Sequence, residues 1–490
     1  EYSEPLVDKN LMVGNFDLNT RTLIIPYDGA RIAPESAFRS ASLTTGFRGG
    51  GAPGWPVVPA AQLGIGPGLI RDDRNNWAPR IGIAWTPMKD ERLIIRTGYG
   101  IYYNRREQFG MATMVQRPPF GYSATINPPT SAFNPDGSRL QIENALGPAA
   151  IGAFLLPVNP DMRTGYIQQW NLTTQTKFWN NWLFEAGYVG SKGTHLYSID
   201  SRNYRPASPT VLPNTTREFA PYLFGMAIWT DQGFSNYHSL QMRLVKRLAK
   251  GLQFSGNYTW AKSLDNNSAG SSGSNDSDSG GLSNPNDRRA EKGRSAFDAR
   301  HRFVINGTYE LPFGPGRALG ANATGSVKKL IEGWQVNLIA VWRSATPFTV
   351  DSNFDFHNIG RASVNRPNLV GDPNDGPKTA DRWFNTTAFV NPLRGVFGTA
   401  GRNIVDGDTF GTVDLSFIKD TRIYERLRLQ FRAEIFNLTN HTNFGTPNRT
   451  YLPVAAGYTP GVSSNTNPDY GRMFGAEDPR VAQVALKLIF

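Results

Sequence analysis

The sequence predicts an all-β protein, specifically an antiparallel up-and-down transmembrane β-barrel with short turns on one rim and long loops on the other. Three observations predict it. About eleven segments alternate apolar and polar residues with period two. The connections between them are short and long by turns, and the last alternating segment ends on an aromatic residue. Composition fits. Of 490 residues, 50 are Gly and 34 Pro, with 39% hydrophobic and 12% aromatic. A large soluble core calls for more apolar residues, disorder for fewer aromatics, and collagen for a strict glycine period. No apolar run approaches the ~18 residues of a membrane-spanning helix, which excludes helical membrane proteins but not strands of ~10 residues.

Taken in order, the first predicted strand runs from Trp77 to Trp85, and the second from Leu93 to Tyr103, with Leu93, Ile95, Tyr99, Ile101 and Tyr103 on one face. Tyr166–Phe178 and Trp182–Tyr188 follow, then Leu240–Leu248 and Leu252–Trp260. In the last of these, Leu252, Phe254, Gly256, Tyr258 and Trp260 oppose Gln253, Ser255, Asn257 and Thr259. Phe303–Leu311, Trp334–Trp342, Val413–Phe417, Leu427–Ile435 and Val484–Phe490 complete the set. Successive strand side chains point to opposite faces, so each segment has one apolar and one polar face.

The links 87–91, 179–181, 249–251 and 420–425 are turn-length, and 312–333 is intermediate. The links 104–163, 198–236, 265–300, 344–410 and 439–479 are long and rich in Gly, Pro, Asn, Asp and Ser. All the long links fall on one side of the array, the layout of outer-membrane barrels. The up–down order brings the last strand to the short-turn rim, where Phe490 ends the chain. A terminal aromatic there is expected to form part of the assembly signal read by the barrel-assembly machinery.

The apolar faces carry few charges, as a lipid-facing surface requires. Lys246 and Lys262 are exceptions near strand ends, where a long side chain can snorkel to the interface. Trp85, Trp182, Trp260, Trp334, Trp342, Tyr188 and Tyr309 also lie near strand ends, as an aromatic girdle would. The opposite faces hold Arg80, Arg92, Arg96, Lys177, Arg243, Arg247, Arg302, Arg343, Arg426, Arg428, Arg432 and Lys487, with Glu185, Glu310, Asp414 and Glu434. Arg96, Arg243, Arg247, Arg428, Arg432 and Glu434 are the candidate lumen-lining residues for ligand or plug contact. The basic excess in the strands therefore points into a lumen and does not form a basic stripe with interleaved aromatics, so the formal charge of +11 is read as a basic lumen wall plus loops and no nucleic-acid partner is expected.

Catalytic patterns are missing. With no Cys in the sequence, thiolate catalysis, disulfides and Cys-zinc sites are excluded. None of the five His falls in HExxH, and no GK dipeptide offers a P-loop. Gly49, Gly51 and Gly54 match GxGxxG by letters, but Pro53 and Pro56 forbid the helix whose start would hold a pyrophosphate. Asn275-Asp276-Ser277-Asp278 is too sparse for a calcium loop. His238 and His301 flank strands near the long-loop rim, where interfacial histidines outnumber ligands of a metal-bearing substrate. No enzyme activity, cofactor or resident metal is expected.

Several stretches carry a resemblance: NNWAPRIGIAWTP (75–87), RTGYGIYYN (96–104), YIQQWNLTTQ (166–175), YVGSKGTHLY (188–197), YHSLQMRLVKRL (237–248), FDARHRFVINGTYELPFG (297–314), LQFRAEIFNLTNHTNFG (429–445) and DPRVAQVALKLIF (478–490). In this order and spacing the chain resembles the C-terminal barrel half of TonB-dependent outer-membrane receptors of the Oar-like type, which carry a carboxypeptidase-regulatory-like domain. The resemblance implies a 22-stranded barrel, a plug inside it, and coupling to the TonB complex through an N-terminal box. Outer-membrane lipid, lipopolysaccharide and an extracellular ligand would be the further partners, and the outer membrane of a Gram-negative-type bacterium the location. On this reading residues 1–76 are an extracellular loop segment following a missing strand, and residues 77–490 are the C-terminal barrel portion; plug and regulatory-like domain lie outside the sequence. Its start at Glu1, without a leader, is then expected from truncation. The expected function is active transport of a large or scarce solute. The alternatives are a passive porin-like channel and a soluble all-β adhesin or glycan-binding module.

Overall fold

The computed structural model describes residues 13–26, 57–90, 92–104, 114, 157–179, 181–219, 226–268, 282–361, 365–424, 427–454 and 458–490. Gly49, Gly51, Gly54, the 275–278 segment and Arg426 lie outside these residues.

Eleven strands form one continuous antiparallel path in chain order. They are β1 (Arg80–Trp85), β2 (Leu93–Tyr103), β3 (Tyr166–Phe178), β4 (Trp182–Arg202), β5 (Met226–Ala249), β6 (Leu252–Asp265), β7 (His301–Glu310), β8 (Trp334–Arg343), β9 (Phe410–Tyr424), β10 (Leu427–Phe436) and β11 (Val481–Ile489). A twelfth short strand, Gly293–Arg294, pairs onto the end of β6. Every strand pairs with its neighbour in sequence, which defines an up-and-down meander. Among the described residues no pairing joins β1 to β11, so the sheet is a wall with two free edges.

The register sorts the side chains as the alternation demands. Phe303, Ile305 and Tyr309 of β7 oppose Trp342, Ala340 and Val336 of β8, while Arg302, Asn306 and Thr308 oppose Arg343, Ile339 and Asn337. The same division runs through β9 to β11, where Leu429, Phe431 and Ala433 meet Leu488, Leu486 and Val484. Among the described residues no second layer covers the apolar face: Ile81 is 66%, Trp260 50% and Leu486 69% exposed. A soluble sandwich would bury these side chains, so this face is built for hydrocarbon.

Rings gather at both ends of the apolar face. At the short-turn rim Trp182 stacks on Phe178 at 6.0 Å and meets Phe254 edge-on at 5.3 Å, and Trp334 meets Phe431 at 6.4 Å. Lys246 turns away from the face, its ammonium donating to Ala249 O and Leu252 O at 2.9 Å. Lys419 of β9 does the same through a short helix, Gly325–Ile331, in the intermediate link: its Nζ donates to Lys329 O and Glu332 O at 2.7 Å. Both lysines thus snorkel.

The fourth and fifth strands depart from expectation. They have 21 and 24 residues, while a membrane crossing uses only ~10. About half of this hairpin therefore projects beyond the bilayer on the long-loop side, and much of the 198–236 segment, read from sequence as a loop, is strand. Pairing continues from Leu196↔Gly233 to Arg202↔Met226, past register shifts at Gly193/Leu196 and Leu196/Ser198. The first strand is conversely shorter than read, because Trp77 and Pro79 precede the pairing. Within the hairpin Gly190 has to be glycine, since the Trp170 indole lies across it and a Cβ there would stand 2.4 Å from the ring.

Candidate functional site

Two surfaces qualify as functional: the polar face of the wall, and the body built by the long loops.

On the polar face the six sequence-predicted residues fall into separate groups. Arg96 stands between Ala84 of β1 and Thr173 of β3 and donates to Gln175 Oε1 at 2.6 Å. Arg243 faces Glu185 in register, with its guanidinium 3.4 Å from the carboxylate. Arg247 follows on β5 close to the short turn, is exposed, and joins no ion pair among the described residues. Arg428, Arg432 and Glu434 share one face of β10. Arg432 Nε donates to Gln430 Oε1 at 2.5 Å, Gln430 Nε2 to Asp420 Oδ1 at 3.0 Å, and Gln483 Nε2 to Glu434 Oε2 at 2.7 Å. Phe490 follows β11 and is 91% exposed at the free edge.

Two further features of this face come only from register. Arg302 lies directly opposite Arg343, and Arg422 directly opposite Arg428. Like charges facing each other across a strand pair oppose sheet formation. Arg343 finds partial relief over the Phe410 ring, at 5.4 Å from its centroid. Such pairs raise the local positive potential on this face.

His238 and His301, the candidate metal-contacting histidines, are on the other face. His238 Nδ1 shares a hydrogen bond of 2.7 Å with the Tyr188 hydroxyl, and His301 Nδ1 one of 2.8 Å with Tyr258. Their register partners are Lys262 and Trp260, so a solute on the polar side meets neither. Among the described residues no three His, Asp or Glu side chains gather as a metal site.

The long links are not loose coil. Links 344–409 and 437–480 fold together around Phe348, Phe356, Trp383, Phe384, Phe389, Tyr451 and Tyr470. Phe384 meets Tyr470 edge-on at 5.2 Å, and the Tyr451 hydroxyl donates to Asn391 Oδ1 at 2.8 Å. Gly398 allows the closest approach: a Cβ there would stand 2.0 Å from Arg366 O. Backbone hydrogen bonds from Tyr451 N to Asp351 O and from Met473 N to Ala380 O tie the two links. The link before β7 is clamped on by two ion pairs of 2.5 Å, Arg366–Glu291 and Arg402–Asp265, with every side chain at most 5% exposed. Arg294 adds a third tie, bridging Asp298 at 2.9 Å and Asp406 at 2.6 Å. The link after β4 joins through Ser208 N to His357 O and Asn358 Nδ2 to Ser208 O.

Burial sets the chemistry of this body. His357 is fully buried with its ring stacked on Phe397 at 4.2 Å, and burial lowers its pKa from 6.5 to about 4, so it is neutral. Burial pushes the Tyr458 hydroxyl up to about 12, and it donates to Pro392 O at 2.5 Å. Neither group titrates as an acid–base catalyst near neutrality. Sequence reasoning missed this body; the one available signal is the aperiodic crowding of Phe348, Phe354, Phe356, Trp383, Phe384 and Phe389.

A second cored cluster unites the segments nearest β1 to β5. Residues 13–26 form a hairpin, Asn15–Asp17 with Thr22–Ile25, joined in parallel by Val57–Pro59. Val13, Ile24, Leu69, Val158, Met162 and Trp229 pack together beside it. The Asn15 carboxamide clamps them, donating to Leu69 O and Val158 O and accepting from Val158 N at 2.8–3.1 Å.

Among solved structures the chain is similar to the outer membrane transporter YddB from Escherichia coli, with 13% identity, 85% of this chain and 42% of that chain covered, and a TM-score of 0.43. It is similar to a variant of the ferric enterobactin receptor PfeA from Pseudomonas aeruginosa, solved with enterobactin (12%, 86% and 41%, TM-score 0.41). It is also similar to the FrpB iron transporter from Neisseria meningitidis (9%, 84% and 39%, TM-score 0.37). The chain spans less than half the length of each. No curated protein matches. The sequence profile of the outer membrane beta barrel domain matches residues 1–483, nearly the whole chain, and the protein belongs to that family of outer-membrane proteins.

Proposed function

We propose that this chain is the C-terminal portion of the wall and the extracellular recognition surface of a TonB-dependent active transporter of the Oar-like type. On this reading residues 77–490 supply one half of a barrel of about 22 strands, and further strands pair with the free edges of β1 and β11. Residues 1–76 belong to the extracellular side. A plug fills the lumen and meets the cationic face at Arg96, Arg243, Arg247, Arg428 and Arg432, while Glu434 stays engaged with Gln483. The observation that carries the reading is the loop body. Its links are folded around an aromatic core and locked by buried ion pairs. This gives a preformed capture surface, of the kind that lowers the ordering cost of binding.

The test is solute accumulation through the full-length protein in its native outer membrane. Active transport predicts that accumulation stops when the inner-membrane proton gradient is collapsed or the TonB protein removed. Unchanged, energy-independent flux would assign a passive channel instead. Release of the protein without detergent would assign a soluble adhesin.

A further inference from the structure

Where the loop body is clamped, its buried arginines end on carboxylates. Arg366 meets Glu291 and Arg402 meets Asp265, and Arg294 bridges Asp298 and Asp406. At one junction the charges do not balance. The link after β4 brings Arg205 and Arg217 against the turn at 355–361, where Arg205 N donates to Ile359 O at 3.0 Å.

Both guanidinium groups converge on Gly360. This residue is exposed and has a φ of +86°, and a Cβ there would stand 2.5 Å from Arg217 Nη2 and 3.1 Å from Arg205 Nη2. The two groups are shielded but not sealed: the Arg205 side chain is 14% exposed and Arg217 8%. Burial, and then the Arg205 charge, hold the Arg217 guanidinium below its ordinary pKa. Asp355 is the carboxylate that acts on both, and it is already engaged. Its Oδ1 accepts from Ile359 N at 3.1 Å and its Oδ2 from Gly360 N at 2.7 Å, which leaves Oδ2 4.0 Å from Arg205 Nη2. Glu218, next to Arg217 in the chain, is bound to Arg202. On Arg205, Nη1 donates to Leu212 O at 3.2 Å, while the buried Nε has no acceptor among the described residues. A third guanidinium adds to the excess: Arg394 Nη1 donates to Asp355 O at 3.0 Å.

Three arginines around one occupied carboxylate leave positive charge without an answer inside the protein. We infer that this turn binds an oxyanion, and that the solute captured by the loop body is acidic, presenting a carboxylate or a phosphate. Arg205 Nη2 donates to the anion, the Arg217 charge holds it, and Gly360 gives it room to approach. Charge-assisted hydrogen bonds of this kind are the strong ones. The inference rests on the loop body being the capture surface of a transporter. Two purely structural arginines would gain by ending on carboxylates of their own, as Arg366 and Arg402 do.

The test is calorimetric titration of the purified full-length protein with inorganic phosphate and, in a separate arm, with succinate. Wild type is expected to bind one anion at this site, and Arg205→Gln to bind it roughly tenfold more weakly, the loss of one charge-assisted hydrogen bond. Asp355→Asn, which removes the competing carboxylate, is expected to bind more tightly than wild type, a gain that a structural pair of arginines would not give. The arm with the higher affinity tells phosphorylated solutes from carboxylates. No saturable binding of either probe overturns the proposal. So does wild-type affinity in both variants, the result that uptake by lumen arginines would give. Protease protection of 344–409 monitors folding; if Arg205→Gln loses it, Arg205→Lys, which keeps the charge, should restore protection and retain the anion. Binding is read without an energy source. Energy-independent accumulation would therefore overturn the transporter reading and leave the site standing, and energy-dependent accumulation without anion binding would do the reverse.

Discussion

Two adjacent aliphatic residues of β8 put the assignment of faces to its sharpest test. Leu338 lies between Gly307 and Leu415 on the apolar face, and Ile339 between Asn306 and Asp414 on the polar face. Hydropathy ranks the two alike, so replacing each by arginine isolates their surroundings. Leu338 is central in a ten-residue strand, near the middle of the hydrocarbon, where a lipid-facing arginine costs ~2–4 kcal/mol. A loss of about 3 kcal/mol lowers the folded-to-unfolded ratio roughly a hundredfold. Ile339 is 50% exposed, so its replacement forfeits little burial. Its guanidinium would face Asp414, which already accepts from Asn437 N at 2.9 Å. An opposite-charge pair across strands contributes roughly 0.2–1 kcal/mol. Leu338→Arg is therefore expected to block or strongly weaken folding, and Ile339→Arg to stay within about 1 kcal/mol of wild type. Urea-dependent folding into liposomes, followed by tryptophan fluorescence and heat-modifiable migration, measures both. Equal losses, or a greater loss for Ile339→Arg, would show that the faces are assigned wrongly.

Removing Arg366 with Arg366→Met leaves the Glu291 carboxylate buried and unpaired, a loss of about 3–5 kcal/mol. It is expected to open the loop body to protease within 344–409 while barrel migration on gels is unchanged; Arg366→Met/Glu291→Gln should recover protection. His357 is held neutral with a pKa near 4 against 6.5 when exposed, so the unfolded loop body takes up a proton that the folded one refuses. Loop-body stability is then complete above about pH 6.5 and falls by roughly 3 kcal/mol as pH drops towards 4; hydrogen exchange should show this loss, and His357→Phe should abolish it. Arg243→Ala breaks a half-exposed pair and is expected to change the urea midpoint by less than about 1 kcal/mol equivalent.

Where lipid contact imposes the period, the fold was legible. The ends of β2 and β3 coincide with the alternating segments because every outward position there, from Leu93 to Tyr103 and from Tyr166 to Phe178, faces the same solvent. Above the membrane that constraint lapses. Gly190 and Lys192 in β4 pair with His238 and Asn236 of β5, and Thr194 with Tyr166 of β3, a run without an apolar period. The candidate lumen residues were assignable to a face but not to partners. The Arg302–Arg343 and Arg422–Arg428 confrontations depend on register across separate strands. The clamps of the loop body join residues 75 and 137 positions apart, and its core is built from aromatics with no spacing rule. Sidedness is a local property of sequence; pairing is not.

The loop body in turn constrains how its own links can move. The links before β9 and β11 share one aromatic core, the link before β7 is joined to them by buried ion pairs, and the link after β4 is hydrogen-bonded to the same body. None of the first three can swing aside alone without exposing Phe384 and Phe389 or leaving Glu291 or Asp265 uncompensated. Packed interfaces of this kind are bistable, not continuously deformable, so none of the three opens gradually on its own.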